Sequence, residues 1–223
     1  MHLTSHGITD PGKTRHANED AMLVDPANQV FAVADGLGGL PGGADTSRRI
    51  IELLEQAEQA IDAATGQPNL EKRILRIHRI VAGEGIEAHP FTGSGSTLTL
   101  AQITGDQLWI GHVGDSAAYL LQRRKLHKLT IDHTFGAENP NVLTQCLGQN
   151  NADPTVEQTR VTVTPGDRLL LCSDGLNKVV SIDAIQTMLQ LQESPAAICQ
   201  KLIDAANACG GPDNITAIVV CID

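Results

Sequence analysis

Apolar positions along this chain change period several times, and each change marks an element. Early on, 21–24 and VFAVAD (30–35) read as strands, the second a continuous apolar run of the kind buried on both faces. Two helical patterns follow. Ile50, Leu53, Leu54, Ala57 and Ile61 share one helix face, and Leu70, Ile74, Ile77 and Val81 share another. TGQPN at 65–69 separates them, which makes the two helices antiparallel neighbours.

From about 96 to 174 the pattern is that of strands, including STLTLAQI, LWIGHV, SAAYLLQ and RLLLCSD. Gly105-Asp106 suits a hairpin turn, and Arg123–Lys125 a second one. Thr164-Pro165-Gly166-Asp167 signals a type II turn, because Pro presets the first central position and Gly accepts positive φ at the next. Two more helices start at serine N-caps. Ser181 precedes Ile182, Ile185 and Leu189, and Ser194-Pro195 precedes Ile198, Leu202, Ala205 and Cys209. ITAIVVCI closes the chain as a strand. Short turns point to antiparallel pairing, and each helix pair can cover one outer face. The expected fold is α+β, a four-layer α-β-β-α sandwich of two antiparallel sheets flanked by helix pairs. With 223 residues and no linker or repeat, it reads as a single domain over 1–223.

Composition narrows this picture. Aromatics are 2% of residues, so the core must be built from Leu, Ile, Val and Ala. A net charge of -10 opposes binding to nucleic acid or an anionic membrane. No run approaches the ~18 apolar residues of a membrane span, and MHLTSHGITDPG lacks the regions of a signal peptide. The five cysteines show no CxxC spacing, which favours packed, reduced thiols. A cytoplasmic monomer is expected.

Candidate chemistry sits at the ends of the apolar runs. Asp35 closes VFAVAD, Asp115 closes LWIGHVGD, Asp174 closes RLLLCSD and Asp213 opens DNITAIVVCI. Antiparallel neighbours bring a strand's end beside the next strand's start, so all four can meet at one edge. Buried carboxylates need compensation, and few basic residues lie nearby in sequence. A cluster of hard oxygen ligands for magnesium or manganese is the better account. Gly36 and Gly175 each allow a sharp turn after their aspartate. Gly38, Gly39, Gly42 and Gly43 lack the lysine of a phosphate-binding P-loop and read as a tight entry to the first long helix. His112, in an apolar strand, reads as a packed core histidine.

Seven motifs in order resemble those of the type 2C (PPM) metal-dependent serine/threonine protein phosphatases. They are SHGITDPGKTRHANED (5–20), VADGLGG (33–39), GSTLTLA (95–101), HVGDS (112–116), LTIDHT (129–134), CSDGL (172–176) and GPDNIT (211–216). The resemblance implies that Asp35 bridges two Mg2+ or Mn2+ ions and that the Gly36 carbonyl binds one of them. Asp174 and Asp213 complete the first ion's shell, while Glu19 and Asp20 hold waters or the second ion. In bacterial members Asp115 with Asp174 resembles the site of a third, looser ion. Arg15 clamps the substrate phosphate, a bidentate task that suits guanidinium. The implied reaction is one-step hydrolysis of phosphoserine or phosphothreonine by a metal-bridging water. The implied partners are phosphorylated proteins, substrates of Ser/Thr kinases.

Three positions depart from the family pattern. Leu37 stands where many eukaryotic relatives carry a histidine acid, so the leaving-group proton is expected from water. Ala117 replaces a common arginine in GDSR. The segment from His133 to Leu143, with His133 ordering its base, is about a helix shorter than the usual flap, which predicts weak substrate selectivity. Two other functions compete: a catalytically silent binding module, and a phosphatase of a dedicated regulator or small phosphate ester.

Overall fold

Strand β3 (Val30–Asp35) shows how the layers are built. Phe31 and Val33 enter one apolar cluster, Val30, Ala32 and Ala34 enter another, and all five are buried. Alternate side chains on one strand thus serve two packing faces. The structure, a computed structural model, describes residues 1–56, 66–149 and 152–223.

One five-stranded sheet has the order β1 (Leu3–Asp10), β10 (Ile215–Ile222), β9 (Arg168–Cys172), β6 (Ala117–Gln122), β7 (Lys125–Lys128). The other runs β2 (Asp20–Asp25), β3, β4 (Leu98–Thr104), β5 (Gln107–Val113), β8 (Glu157–Thr162). Every neighbouring pair in both sheets is antiparallel. Phe31, Ile110, Leu120, Leu171 and Ile218 fill the space between the sheets. Burying each such side chain contributes about 1.5–3 kcal/mol. Helices α1 (Gly43–Gln56) and α2 (Leu70–Ala88) cover β2–β5 through Ile50, Leu54, Ile74 and Ile77. Helices α4 (Ile182–Leu189) and α5 (Pro195–Ala208) cover the other sheet through Ile185, Leu189, Ile198 and Leu202. A single turn, α3 (Asp174–Asn177), follows β9. These are the four layers expected.

The local signals act as read. The Ser181 and Ser194 hydroxyls accept from the backbone N–H of Ala184 and Ala197 at 3.3 Å each. Gly105 has φ 63°, and Gly166 has φ 95° with a 3.0 Å bond from Asp167 N to Thr164 O. The second hairpin turns on Arg123 and Arg124, both left-handed at φ 50° and 65°. Of the first helix's predicted face, Ala57 and Ile61 lie outside the described residues, as does Thr65 of the break that follows. Edge strands β1 and β8 were not singled out by the pattern. Among the described residues no helix is long and apolar enough to cross a membrane.

The topology gathers the four aspartates. β3 and β5 both run antiparallel to β4, so Asp35 and Asp115 emerge at the same end. The end of β9 lies beside the start of β10, which brings Asp174 near Asp213. Only Asp35 is itself a strand residue: Asp115 lies two positions beyond β5, Asp174 opens α3 and Asp213 precedes β10 by two.

Candidate metal and phosphate site

At this edge a cavity of ≈ 370 Å³ is lined by Arg15, Glu19, Asp35, Gly36, Asp115, Asp174 and Asp213, together with Lys178, Asn141 and Leu37. Asp20 sits behind its wall. The Asp20 Oδ2 atom accepts from Ser173 Oγ at 2.7 Å and Thr216 Oγ1 at 2.6 Å, while Oδ1 is buried with no partner. The eight candidate residues therefore form one constellation, seven on the cavity surface and one beneath it.

Backbone contacts hold each part in place. Asp35 N donates to Thr97 Oγ1 at 3.1 Å, and Ser96 Oγ donates to the Asp35 carbonyl at 2.9 Å. Ser47 Oγ, from α1, donates to the Glu19 carbonyl at 2.5 Å. Buried Asn214 ties down the N-terminal loop: Oδ1 accepts from Glu19 N, and Nδ2 donates to the Pro11 and Ala17 carbonyls. The glycines after the aspartates work differently from the expectation. Neither Gly36 nor Gly175 has positive φ. Instead, a Cβ on Gly36 would lie 2.4 Å from the Gly43 carbonyl oxygen, and one on Gly175 would lie 2.0 Å from that of Asn214. Close approach of backbone, not a sharp turn, requires them.

Electrostatics at the site are strained. Burial pushes the Asp35 carboxyl well above the ordinary carboxylate range, and Asp20, Asp174, Asp115 and Asp213 push it further. Asp20 is raised to about 6, by burial first; hydrogen bonds from Thr216 and Ser173 only partly offset this. Asp115 is raised by burial and by Asp174, against the pull of Lys178.

The basic partners are few, as expected, but two of them reach the carboxylates directly. Lys178 Nζ lies 2.7 Å from both Asp115 Oδ2 and Asp174 Oδ2. Arg15 grips Asp213 in bidentate fashion, Nε to Oδ1 at 2.9 Å and Nη2 to Oδ2 at 3.0 Å. These pairs were hidden because the partners are far apart in sequence or sit on a turn whose geometry the pattern does not show. A weak signal was present for Lys178, four residues after Asp174 and so on the same helical face.

The model of the family described as protein phosphatase 2C matches residues 13–219. The chain belongs to the protein phosphatase 2C family. It is 32% identical over 228 residues to the serine/threonine protein phosphatase PstP of Mycobacterium tuberculosis, covering 95% of this chain but 43% of that protein. The chain thus spans less than half the length of that relative. The serine/threonine phosphatase stp of Listeria welshimeri is 32% identical over 235 residues, covering 95% of this chain and 93% of that one. Among solved structures, the catalytic domain of PstP in complex with two manganese ions superposes with a TM-score of 0.85 at 31% identity, covering 99% of each chain.

For this 2C-family chain the donor set can be tested against a divalent ion. The cluster offers only oxygen ligands. Asp20, Asp35, Asp115, Asp174, Asp213 and Glu19 outnumber the two cations Arg15 and Lys178. The excess negative charge, the raised Asp35 and the orphaned Asp20 Oδ1 all fit hard cations such as Mg2+ or Mn2+.

A second cluster, His112, His133 and Glu157, also brings ligand atoms within 4.8 Å of one another. Both His112 nitrogens are engaged there, Nδ1 with Thr99 Oγ1 at 2.9 Å and Nε2 with the Gly114 carbonyl at 3.0 Å. Burial holds this imidazole neutral down to about 3, as expected of a core histidine. His133 Nδ1 accepts from Gly114 N, and the His133 carbonyl accepts from Thr144 N, fastening the base of the flap. None of the five free cysteines lines the carboxylate cavity, and burial pushes Cys172 and Cys199 up to about 12.

Proposed function

We propose that this chain is a Mg2+- or Mn2+-dependent protein serine/threonine phosphatase, and that residues 1–223 make up one catalytic domain. The observation that carries this is the convergence of Asp35, Asp115, Asp174 and Asp213 from two sheets on one cavity with Arg15 at its mouth. The single-domain reading is supported by β1 pairing with β10 along its whole length, from Leu3–Ile222 to Asp10–Ile215. Loss of ligand aspartates would favour a silent binding module, and none of the four, Asp35, Asp115, Asp174 and Asp213, is lost here.

Asp35 is the central ligand, with Asp174, Asp213 and the Gly36 carbonyl beside it and Glu19 and Asp20 on the strand β2 side. Divalent ions bound there supply charge neutralisation and lower the pKa of water. The chain's own contribution is placement. Thr97 and Ser96 hold Asp35, Gly175 lets α3 approach Asn214, and Asn214 fixes the loop that carries Arg15 and Glu19. Arg15 uses Nε and Nη2 on Asp213, and its Nη1 faces the Gly38 backbone. With five N–H donors it can still fork onto a phosphate. Leu37 at the cavity wall carries no proton, so the leaving oxygen takes its proton from solvent.

Substrates are phosphoproteins made by Ser/Thr kinases, and the protein works as a cytoplasmic monomer. Five free thiols support a reducing compartment. The test is Mn2+-dependent hydrolysis of an aryl phosphate and of phosphoserine peptides. EDTA and Asp174→Asn should each abolish it. No turnover by metal-loaded protein would sink the enzyme reading, and turnover of small esters alone would displace the protein substrate.

A further inference from the structure

Lys178 follows α3 as its C-terminal cap, and its ammonium is shared among three oxygens. Asp115 Oδ2 and Asp174 Oδ2 lie at 2.7 Å and Asn141 Oδ1 at 3.2 Å. An ammonium has three N–H donors, so each finds an acceptor. The acceptors come from separate parts of the fold: the β5–β6 connection, α3, and the loop 133–143 that flanks the cavity. The pair is not an ordinary surface contact, because the Asp115 side chain is 6% exposed and that of Lys178 30%. Solvent and salt screen such a pair less than exposed ones.

We propose that Lys178 is a built-in monovalent cation that holds the Asp115 end of the carboxylate cluster and excludes a divalent ion from it. Ion binding is thereby confined to the Asp35–Asp174–Asp213 end. This rests on the reading of the cluster as a metal site. Mg2+ sits about 2.0–2.1 Å from its oxygens, and Nζ already contacts the same two Oδ2 atoms, so the two cations cannot share the place. An ion entering there must displace a tethered competitor whose effective concentration is of millimolar order or above. It must also break the link to Asn141. The wall of the cavity formed by loop 133–143 is therefore positioned by a side chain, independent of any ion at that end.

The experiment counts Mn2+ bound to the full chain, by calorimetry and by the spin-resonance signal of free Mn2+. Wild type should bind ions at the core only. Lys178→Met should gain one further ion, at least tenfold tighter than any outer binding in wild type, and Lys178→Met/Asp115→Asn should lose that gain. Equal number and affinity in wild type and Lys178→Met overturns the inference. Should Lys178→Met fail to fold, Asp115→Asn in the wild-type background decides. An unchanged Mn2+ count supports the inference, because Asp115 then holds the lysine, and loss of one ion overturns it. No Mn2+ binding by either protein overturns the metal reading and this inference with it, whereas equal binding overturns the inference alone.

Discussion

Asp20 and Asp35 lie directly opposite each other in the β2–β3 ladder, two carboxylates on one face of an antiparallel pair. Like charges so placed repel, and Asp20 is buried away from the water that would screen the pair. The β2–β3 pairing therefore holds together in spite of this pair, and the compensation comes from bound protons or from cations in the cavity.

The metal-free protein should show this as pH dependence. Asp20 titrates at about 6 in the folded chain against an ordinary 3.8. The folded state binds that proton more tightly, so the stability it confers is present below about pH 4 and lost as pH rises through 6. The expected penalty above pH 7 is on the order of 2–3 kcal/mol. Asp20→Asn keeps an oxygen for Ser173 and Thr216 and removes the charge. In EDTA its melting temperature should rise relative to wild type between pH 4 and 7, then level off. The difference between the two proteins is the useful quantity. Neutral His112 acts oppositely in both, costing stability as pH falls from 6.5 toward its folded value of about 3. A gap that does not change with pH would contradict the placement of Asp20.

How much of this was legible in the sequence depended on burial. β3, β9 and β10 announce themselves because both faces are buried and the apolar run is unbroken. β1 and β8 are edge strands whose exposed positions carry polar side chains, so LTSHGITD and EQTRVT lack that signal. The aspartates were legible as strand ends in family order. Their pairing with Lys178 and Arg15 was not, since Asp115 and Lys178 belong to different sheets' connections and meet only after folding. The reason for Gly36 and Gly175 was equally hidden, because a close backbone approach is a property of the packed fold.

Arg15 and Asp213 are each about a third or more exposed, so their pair contributes little to stability, under about 1 kcal/mol. Its removal should instead affect substrate. Arg15→Ala is expected to lower kcat/KM on a phosphopeptide about 10- to 100-fold, the scale of a charged hydrogen bond worth about 1.5–3 kcal/mol. Arg15→Lys should recover only part of this because it lacks the planar fork. Steady-state kinetics beside a thermal melt separate the two effects. A large drop in melting temperature with unchanged kinetics would make Arg15 structural.

Two glycine-to-alanine changes should move stability in opposite directions. At Gly175 the new Cβ meets the Asn214 carbonyl at 2.0 Å, forcing α3 and Asp174 out of place; destabilisation of about 2 kcal/mol or more is expected, with weakened Mn2+ binding. At Gly83, exposed in α2, a Cβ meets nothing within 4 Å. Alanine there should stabilise by about 0.5–1 kcal/mol and leave ion binding unchanged. Denaturant melts of both variants check the pair.

The 133–143 loop beside the cavity should leave recognition of a phosphopeptide permissive. Loop 133–143 folds as a small hairpin, with Thr134 bridged to Leu143 and a single 3-10 turn at Gly136–Glu138. Leu37, Gly38, Asn141 and Leu143 line both the carboxylate cavity and an adjoining one of ≈ 460 Å³, whose further walls include Leu40, Val142 and Pro154. Those walls offer apolar contact on an open surface, and one such contact is worth only about 1–3 kcal/mol of discrimination. A panel of phosphopeptides varied at flanking positions should therefore differ in kcat/KM by less than about a hundredfold, roughly 2.7 kcal/mol. Apolar flanking residues should be favoured over acidic ones, since the cavity already carries excess negative charge. A steeper preference would require a recognition surface beyond these two cavities.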